Sequence, residues 1–313
     1  MYFKNSSKKQ SIPYFYTGNI SYYINNGYIR KKIQNTMITF PNAKINLGLD
    51  IVEKLPNGFH SLETIFYPIP LQDILEITPA EKSDAPEYTF KMFNANFEGS
   101  DEDNIVVKAY KNLAADYQLP KVNISLYKNI PTGAGMGGGS ADAAFTLKML
   151  NEMGELNLSN KQLEEYAARL GADCAFFIRN TPAYATGIGN ILTETNCNLA
   201  GYYLVIVKPD IHISTKEAYS LVTPATPQTP LTEIAARPIE EWKDSMKNDF
   251  EKSIFTKHPS CEKIKSNLYD MGAVYASMSG SGSSFFGIFK EEQDIEKIKE
   301  AFPGMFCWCN ACE

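Results

Sequence analysis

A glycine-rich segment near the middle of the chain constrains its fold more than any other feature. Residues 131–145 read PTGAGMGGGSADAAF, and five of the seven residues from 133 to 139 are glycine. Because glycine lacks a Cβ atom, consecutive backbone N–H groups in such a run can converge on one anion. The alanine-rich residues that follow predict a helix opening at Ser140, whose N-terminus adds unpaired N–H groups. The segment therefore predicts a polyphosphate-binding loop, with the Ser140 hydroxyl near a phosphate oxygen or its metal ion. The alternative is a tight connection without a ligand.

Two common nucleotide-binding patterns do not account for this loop. Gly133, Gly135 and Gly138 match G-x-G-x-x-G, but a dinucleotide-binding unit requires a second strand with an acidic residue about 20 positions further on. In this chain the helix after the loop is followed by a second predicted helix. A Walker A loop ends in Gly-Lys-Ser/Thr, whereas this one ends in Gly-Gly-Ser. The loop therefore predicts phosphate binding outside both patterns.

Composition limits the class of protein. With 313 residues, 44% of them hydrophobic, the chain can form two modest domains or one large one. The net charge of −6 argues against a general nucleic-acid-binding protein, and no segment approaches the ~20 apolar residues that span a bilayer. Six cysteines in a chain of this length do not form a secreted disulfide framework, so a reducing cytoplasm is the simplest location. The tail residues Cys307, Cys309 and Cys312 are either half of a metal site or part of a plain terminal strand and tail.

The first 36 residues differ from the rest of the chain. They contain six Lys or Arg residues and no Asp or Glu, which leaves 24 basic and 36 acidic residues in the remainder. They show no sustained hydrophobic period and lack the continuous apolar stretch of a signal peptide. We interpret residues 1–36 as a disordered extension, or Met37 as the natural start. The alternative is an ordered extra strand or arm.

Hydrophobic patterning beyond residue 37 predicts a mixture of strands and helices. Alternation and turn residues predict strands within 38–70, 73–79, 88–93, 121–127 and 200–209, and a strand–glycine turn–strand unit in 274–289. Helical spacing and capping residues predict helices at 105–119, 140–153, 159–171, around 239–255 and 260–272, and at 294–302, with a loop at 221–238. The elements show no regular βαβ alternation and no internal repeat, so an α+β fold is predicted.

Several segments together resemble the GHMP kinase superfamily of ATP-dependent small-molecule kinases. The loop PTGAGMGGGSADAA is similar to the superfamily's P-x-x-x-G-L-G-G-S-S-A-x loop. The segments PNAKINLGLDI and NGFHSLET resemble the opening of one member family, the 4-diphosphocytidyl-2-C-methyl-D-erythritol kinases. LGADCAFF resembles that family's G-A-D-V-P-F segment, and SMSGSGSSFFGIF resembles its C-terminal glycine motif. The resemblance runs from Met37 almost to the end in the family's motif order, and leaves 1–36 and the cysteine tail uncovered.

The resemblance implies a two-domain α+β kinase with its active site in the cleft between the domains. The N-terminal ATP-binding domain, over 37–198, would have a ribosomal-protein-S5-like core, and the C-terminal domain, over 199–313, a ferredoxin-like one. The implied reaction transfers the γ-phosphate of ATP to the 2-hydroxyl of 4-diphosphocytidyl-2-C-methyl-D-erythritol, a step of non-mevalonate isoprenoid precursor synthesis. Mg²⁺ is implied, bound mainly by the ATP phosphates with Ser140 as a further contact. No nucleic acid or membrane partner is implied, and a monomer or homodimer is expected.

Phosphoryl transfer to an alcohol benefits from a base for the hydroxyl proton and from positive charge near the phosphate. The resemblance assigns the base to Asp173, which otherwise would only cap a turn beside the segment CAFF, predicted to be a buried strand. Lys44 lies on a predicted strand among apolar neighbours, where an inward-facing cation is costly unless paired. In the family this lysine lies beside the catalytic aspartate, where it would keep Asp173 ionised and polarise the nucleophile. Asn46 falls on the same strand face and is expected to orient the substrate hydroxyl.

Substrate recognition is where the chain departs from the family pattern. The family's Gly-Tyr-His appears here as Gly58-Phe59-His60, so Phe59 supplies a ring without the phenol oxygen. The resemblance assigns His60 to the cytosine edge and Tyr219, in STKEAY, to stacking on the base. The alternative for Tyr219 is a core aromatic. Stacking contributes about 1–3 kcal/mol per base, so Tyr219 is expected to matter for substrate binding.

The expected ATP contacts lie in and around the glycine loop. Asn104 and Lys128 match family positions that line the adenine side. Met136 replaces the family's leucine and Ala141 a common second serine, changes that remove at most one side-chain donor. Backbone N–H groups are therefore expected to carry most of the phosphate binding. The loop residues assigned to ATP are Pro131, Gly133, Ala134, Gly135, Met136, Gly137, Gly138, Gly139 and Ser140.

Two other functions fit the same features. The loop and fold would serve another alcohol kinase, such as one acting on homoserine or a sugar, although the GFH segment and Tyr219 favour a cytosine nucleotide. A catalytically inactive ligand-binding protein would also keep the loop, but the presence of both Lys44 and Asp173 argues against it.

Overall fold

A computed structural model describes residues 22–25, 28–31, 36–80, 84–95 and 99–312. The strands in this part of the chain are β1 (Tyr22–Asn25), β2 (Tyr28–Lys31), β3 (Thr36–Thr39), β4 (Asn42–Lys54), β5 (His60–Gln72), β6 (Ile74–Pro79), β7 (Tyr88–Phe93), β8 (Val122–Tyr127), β9 (Ala183–Thr186), β10 (Ile191–Glu194), β11 (Tyr203–Lys208), β12 (Tyr275–Met278), β13 (Phe285–Phe289) and β14 (Phe306–Ala311). The α-helices are α1 (Ile105–Ala114), α2 (Gly138–Met153), α3 (Asn160–Ala168), α4 (Phe176–Arg179), α5 (Thr215–Ala218), α6 (Leu231–Ala235), α7 (Phe250–Lys257), α8 (Pro259–Asp270) and α9 (Ile295–Ala301). Short 3₁₀ segments occupy Asp101–Asp103, Tyr219–Leu221 and Ile239–Asp244.

Three sheets form the framework of the described chain. The first has the strand order β1-β2-β3-β6-β8-β7 and is antiparallel except for the parallel pair β7–β8. The second has the order β10-β9-β5-β4 and the third β12-β13-β11-β14, and both are antiparallel throughout. β4 and β5, each 13 residues long, form a long pair at one side of the second sheet.

Apolar side chains join these sheets into three buried clusters. The first packs α1, α2, α3 and α4 against the six-stranded sheet. The second joins inward residues of β4 and β5 to one face of the third sheet, including Leu204 and Phe286. The third packs α7, α8 and α9 against the other face of that sheet. Because the second cluster contains residues from both halves of the chain, it holds the β4–β5 pair against the C-terminal sheet.

The structure differs from the predicted elements at several places, beginning with three segments beyond residue 37. The segment CAFF, predicted as a buried strand, forms a turn that leads into α4; four consecutive buried residues suit either a strand or a helical turn, and periodicity cannot separate the two. Residues 231–235, inside the predicted loop, form α6, which buries Leu231 and Ile234. The helix predicted around 239–255 is divided, because the backbone of Lys247 and Asp249 pairs with Leu49 of β4 instead of continuing the helix.

The predicted disordered extension contains two strands in the part that the structure describes. β1 pairs with β2, and β2 pairs with β3, so the two strands extend the first sheet at its edge. The edge of β3 offers free backbone N–H and C=O groups, and the tyrosine and isoleucine residues of β1 and β2 favour strands. The other residues of this prediction, 1–21, 26–27 and 32–35, lie outside the described residues.

The C-terminal tail ends in a strand. Cys307 and Cys309 lie on β14, as the terminal-strand alternative predicted. β14 pairs antiparallel with β11 along its whole length. Across the described ranges, no helix has the length and apolar character needed to cross a membrane.

Candidate functional site

The candidate site begins at β4, a strand that is buried on both faces. Ala43, Ile45 and Leu47 point into the second cluster. Lys44 and Asn46 lie on the opposite face, and each is only 3% exposed. This placement follows from the alternation that every strand imposes. The predicted placement of Lys44 and Asn46 on one face is confirmed by the hydrogen bond from Lys44 Nζ to Asn46 Oδ1, at 2.5 Å.

The Lys44 ammonium group has three polar neighbours. Its Nζ lies 2.5 Å from Asn46 Oδ1, 3.2 Å from the carbonyl oxygen of Gly135 and 3.4 Å from Asp173 Oδ2. The ring centroid of Phe66 is 4.9 Å away, which adds a cation–π contact. A buried cation is tolerated only with partners of this kind, so the surroundings of Lys44 are built for a charged side chain.

Asp173 lies in the turn between α3 and α4. The turn is closed by a hydrogen bond from the Cys174 N–H to the Gly171 carbonyl oxygen, at 3.2 Å, and α4 is anchored by buried Phe176 and Phe177. The Asp173 side chain is 33% exposed, whereas Lys44 is buried. Asp173 is therefore the more accessible member of the pair. A carboxylate in this position can accept a proton from a hydroxyl group.

The glycine loop approaches this pair directly. Gly135 and Gly137 have left-handed backbone angles, with φ of +74° and +69°. Between them Met136 has a negative φ and a buried side chain, and its carbonyl oxygen accepts from the Lys44 N–H at 3.0 Å. Alternating handedness of this kind turns successive N–H groups toward one concave side, where they can bind an anion. This geometry supports the predicted phosphate-binding role of the loop.

The helix after the loop begins earlier than predicted. α2 starts at Gly138 with Gly137 as its N-cap, two residues before Ser140. Glycine is an acceptable N-cap, and sequence patterns place helix ends only approximately. Ser140 therefore lies in the first turn of α2, where it is partly exposed. The free N–H groups and the dipole of this turn favour a negatively charged ligand.

A second glycine-containing segment, residues 279–281, meets the loop from the C-terminal half. The Ser279 hydroxyl donates to the Gly135 carbonyl oxygen at 2.9 Å and accepts from the Asn46 N–H at 3.3 Å. A Cβ atom on Gly280 would lie 3.2 Å from Asn46 Oδ1. Sequence analysis quoted this segment but assigned no site residue to it, although its Ser-Gly-Ser-Gly run between two strands was a usable signal.

These groups border one cleft of about 190 Å³. The predicted residues that it brings together are Lys44, Asn46, Gly135, Gly137, Asp173 and Tyr219. Residues that sequence analysis did not assign to the site include Thr64, Phe66, Thr215, Phe250, Gly280 and Ser281. Thr64 ends the segment NGFHSLET, in which only Phe59 and His60 were assigned to the site, and Phe66 lies two residues further on. Both reach the cleft because β5 pairs with β4.

The residues predicted to recognise cytosine contact each other. The rings of His60 and Tyr219 are stacked, with centroids 4.6 Å apart and 23° between their planes. This is the spacing of a direct pair, so no base fits between the rings in this arrangement. Phe59 is 59% exposed. Burial and the positive charge of Lys54 lower the pKa of His60, which favours the neutral imidazole with one donor and one acceptor.

The two residues predicted to line the adenine side are engaged within the protein. Lys128 is buried, and its Nζ lies 2.5 Å from Asp73 Oδ2 and 2.6 Å from Asp142 Oδ2. Asn104 caps α1, since its Oδ1 accepts from the Val106 N–H at 2.9 Å. Their polar groups thus hold the elements around the loop, and their contacts with ATP stay predictions.

Asp73, Lys128 and Asp142 form a buried cluster beside the loop, which we call the charge triad. Asp73 Oδ1 also accepts from the N–H groups of residues 129 and 130, at 2.6 and 2.9 Å, which fixes the chain where it enters the loop. Burial lowers the pKa of Lys128, but the two carboxylates more than offset this and raise it overall. Burial also raises the pKa of Asp142 well above its usual value. Sequence analysis missed both acidic members of the triad.

The remaining loop residues assigned to ATP differ in their exposure and in their position along the loop. Ala134 is buried in the second cluster, whereas Gly133 and Gly139 are exposed. A Cβ atom on Gly133 would lie 3.5 Å from Nδ1 of His212, a residue after β11 that sequence analysis did not assign. Pro131 and Gly138 lie at the two ends of the loop. The contacts of these residues with a nucleotide stay predictions.

Two family models match the chain. The model of the GHMP kinases N terminal domain matches residues 104–181, and that of the GHMP kinases C terminal domain matches residues 231–306. A curated relative from Bacteroides fragilis, named 4-diphosphocytidyl-2-C-methyl-D-erythritol kinase, is 56% identical over 272 residues, which cover 87% of this chain and 98% of the relative.

Solved structures with the same architecture also exist. A crystal structure of 4-(cytidine 5'-diphospho)-2C-methyl-D-erythritol kinase matches with a TM-score of 0.73 and 28% identity, covering 87% of this chain and 98% of that one. A homoserine kinase from Cytophaga hutchinsonii matches with a TM-score of 0.61 and 15% identity, over 90% of this chain and 96% of that one, which shows a shared fold alone. The predicted two-domain α+β fold is confirmed by these matches together with the family models.

Proposed function

The chain belongs to the GHMP kinase family, and we propose that it uses ATP to phosphorylate the 2-hydroxyl group of 4-diphosphocytidyl-2-C-methyl-D-erythritol, a step of non-mevalonate isoprenoid precursor synthesis. The name of the Bacteroides fragilis relative supports this substrate. The observation that carries the proposal is the Lys44–Asp173 pair, 3.4 Å apart in the cleft that the glycine loop also borders.

Each side chain of the pair has a chemical task in this reaction. Asp173 accepts the proton of the substrate hydroxyl as its oxygen attacks the γ-phosphorus, and ADP leaves with the bridging oxygen. Lys44 stabilises the negative charge on the transferred phosphoryl group. Asn46 holds Lys44 through its Oδ1 and orients the hydroxyl. The backbone N–H groups of residues 135–140 bind the phosphates, and the dipole of α2 adds to their attraction.

Mg²⁺ belongs to the proposal as an ion bound mainly by ATP. In the described ranges, no group of three or more His, Cys, Asp or Glu side chains is arranged to hold a metal ion. Phosphate oxygens would therefore supply most of its ligands, with the Ser140 hydroxyl in the first turn of α2 as a protein contact. When bound, the ion neutralises phosphate charge.

Recognition of the cytosine would use the aromatic residues beside the cleft. Tyr219 borders the cleft and offers a stacking face. The base would replace His60 in its direct stack with Tyr219, and His60 would then hydrogen-bond the base edge. Phe59, exposed on the turn between β4 and β5, would supply a further ring surface.

The organisation of the chain is part of the same proposal. We place the domain boundary between residues 198 and 199, because the two family models lie on either side of it and β11 opens the third sheet at Tyr203. The catalytic domains would begin at Met37, since the described residues before it do not border the cleft. A cytoplasmic location and a monomeric or homodimeric state complete the proposal.

An ADP-release assay with the purified full chain tests the function. ATP would be offered with the cytidine substrate, with homoserine, with mevalonate or with a sugar, and phosphorus NMR would identify the new phosphate monoester. We expect turnover with the cytidine substrate, and Asp173→Asn should lower it by about 10²-fold or more while ATP still binds. Faster turnover with another alcohol would contradict the substrate assignment. A folded protein that binds ATP but phosphorylates no alcohol would instead be a binding protein.

A further inference from the structure

We propose that Thr64 is a positioning residue of the phosphoryl-transfer site: it holds the Nδ2 end of the Asn46 amide, and through Asn46 it directs the Lys44 ammonium group. The inference rests on the function proposed above for Lys44. Thr64 itself lies on β5 at the end of the segment NGFHSLET, and sequence analysis assigned it no role.

The first hydrogen bond of Thr64 is made possible by a bulge in the β4–β5 ladder. Leu47 pairs with Ile65 and Leu49 with Thr64, so Gly48 is an extra residue on β4. Its φ of +66° is a left-handed angle that glycine adopts without strain. A bulge of this kind turns a backbone group out of the ladder. Here the Gly48 carbonyl oxygen accepts from the Thr64 hydroxyl at 2.6 Å.

The direction of the next two hydrogen bonds then follows from donor and acceptor chemistry. A carbonyl oxygen can only accept, so the one hydroxyl proton of Thr64 is used on Gly48. Thr64 Oγ1 can therefore only accept from Asn46, whose Nδ2 lies 3.0 Å away. The other end of the amide is its oxygen, which accepts from Lys44 Nζ at 2.5 Å. A reversed amide would place donor against donor at Lys44 and oxygen against oxygen at Thr64.

Water cannot easily replace these bonds, because all three side chains are enclosed. Thr64 is 1% exposed, and Asn46 and Lys44 are each 3% exposed. A buried polar group that loses its hydrogen-bond partner destabilises the folded state by its full desolvation free energy. The hydrogen bond from the backbone N–H of Asn46 to the Ser279 hydroxyl holds only the backbone, so it does not restrict rotation of the Asn46 side-chain amide. The orientation of the amide therefore depends on Thr64 at its Nδ2 end and on the donor Lys44 Nζ at its Oδ1 end.

This orientation matters because Lys44 is directed from two sides. Asn46 Oδ1 and the Gly135 carbonyl oxygen both accept from its Nζ, which leaves Nζ 3.4 Å from Asp173 Oδ2. If the amide rotates, one of the two acceptors is lost and the ammonium group can move away from Asp173. We therefore expect the Thr64 hydroxyl to affect the chemical step more than the binding of ATP.

The variant Thr64→Val keeps the shape of the side chain and removes the hydroxyl group. We expect it to lower kcat by about 10- to 100-fold, the effect of misplacing a catalytic group by a fraction of an ångström to 1 Å, while the KM for ATP changes less than about twofold. Thr64→Ser keeps the hydroxyl and is the matched control, with kcat within about threefold of the wild type. A folded Thr64→Val protein with normal kcat would overturn the proposal. If Thr64→Val does not fold, Thr64→Ala tests the same loss.

A double-mutant cycle separates positioning from a purely structural role. Asn46→Ala removes the group through which Thr64 acts, so Thr64→Val should lower kcat little further in that background. The melting temperature should still fall, because the bond to Gly48 is lost in either background. Equal fold-losses of kcat with and without Asn46 would show that Thr64 acts by another route.

A measurement that does not depend on turnover tests the role of Thr64 separately from the proposed function. Hydrogen exchange of the Asn46 side-chain amide, followed by NMR in the ligand-free protein, should be slow in the wild type and Thr64→Ser and fast in Thr64→Val. Unchanged exchange in Thr64→Val would overturn the positioning role. If the wild-type protein did not phosphorylate the cytidine substrate, the proposed function would be wrong, but the exchange rate of the Asn46 amide would still test the role of Thr64.

Discussion

Gly135 leaves no room for a side chain where the glycine loop meets residues 279–282. Its φ is +74°, and a Cβ atom would lie 2.1 Å from the Ser279 carbonyl oxygen and 3.1 Å from that of Gly282. We expect Gly135→Ala to lower the free energy of unfolding by about 2 kcal/mol or more, from backbone strain and the clash together. Turnover should fall as well, since the Gly135 carbonyl oxygen helps to hold Lys44. Chemical denaturation and the ADP-release assay measure the two effects.

Gly139→Ala is the matched control for this prediction. Gly139 does not have a left-handed φ, and the nearest atom to its Cβ position is Ile105 Cγ2 at 3.7 Å, an ordinary contact. Because Gly139 lies in α2, alanine should leave the stability unchanged or raise it by up to about 1 kcal/mol. The steric explanation for Gly135 would be wrong if both variants lost the same stability.

Tyr219 is expected to stack on the cytosine of the substrate. Tyr219→Ala should raise the KM for the cytidine substrate by the equivalent of about 1–3 kcal/mol and leave the KM for ATP unchanged. Tyr219→Phe should be mild, because the ring face remains, and His60→Ala should also weaken binding of the cytidine substrate more than that of ATP. Steady-state kinetics with each substrate varied in turn measures these effects. Unchanged KM values in both alanine variants would place the base elsewhere.

The charge triad joins three elements around the glycine loop. Asp73 precedes β6, Lys128 follows β8 and Asp142 lies in α2, and their contacts are all buried. Lys128→Met would leave two buried carboxylates without their cation, and we expect the free energy of unfolding at neutral pH to fall by about 3–5 kcal/mol. If Lys128 served only to contact ATP, Lys128→Met would weaken nucleotide binding without lowering the free energy of unfolding. Denaturation in the absence of ATP distinguishes the two.

The stability of Lys128→Met should depend on pH in a defined direction. Burial raises the pKa of Asp142 well above its usual value, and the variant lacks the Lys128 charge that opposes this rise. The folded state then binds more protons than the unfolded state, so stability falls as pH rises through the interval between the two pKa values. The deficit relative to the wild type should therefore shrink as the pH is lowered from about 8 to about 5. Thermal melts across this range test it, and a deficit that grows toward low pH would contradict the triad's role.

Helices and strands with strong local signals were predicted well, and ambiguous ones were not. The N-cap at Ser159 is confirmed, with Gln162 completing a capping box, because the signal lies within four neighbouring residues. The prediction of a strand at CAFF was wrong, because a short apolar run has no periodicity that distinguishes a strand from a helix. The division of the helix predicted around 239–255 depends on pairing with Leu49, almost 200 residues earlier in the chain, and no local pattern carries that information.

A chain that begins at Met37 should fold and keep its activity. Within the part of the chain that the structure describes, no residue that borders the cleft lies before Lys44, and β1 and β2 add only to the outer edge of the first sheet. We expect unchanged kcat and KM values and a small loss of melting temperature, because the edge of β3 becomes unpaired. Calorimetry and the ADP-release assay on the shortened chain check this. A large fall in melting temperature would show that residues before Met37 are packed against the domain.

The sequence by itself determined the features that arise from neighbouring residues. The glycine run required an open loop followed by a helix, and strand alternation placed Lys44 and Asn46 on one face, because both depend on backbone geometry over a few residues. The resemblance of ordered motifs then identified the family before any distance was known.

Only the tertiary structure decided which distant residues meet. Asp173 lies beside Lys44, Ser279 bonds to Gly135, and Lys128 is held by Asp73, although these partners are 129, 144 and 55 positions apart. Thr64 reaches Asn46 because a bulge at Gly48 shifts the ladder by one residue. Such contacts depend on strand register and on the packing of whole elements, which hydrophobic periodicity does not specify, since periodicity tells which face of an element is buried and not what it is buried against.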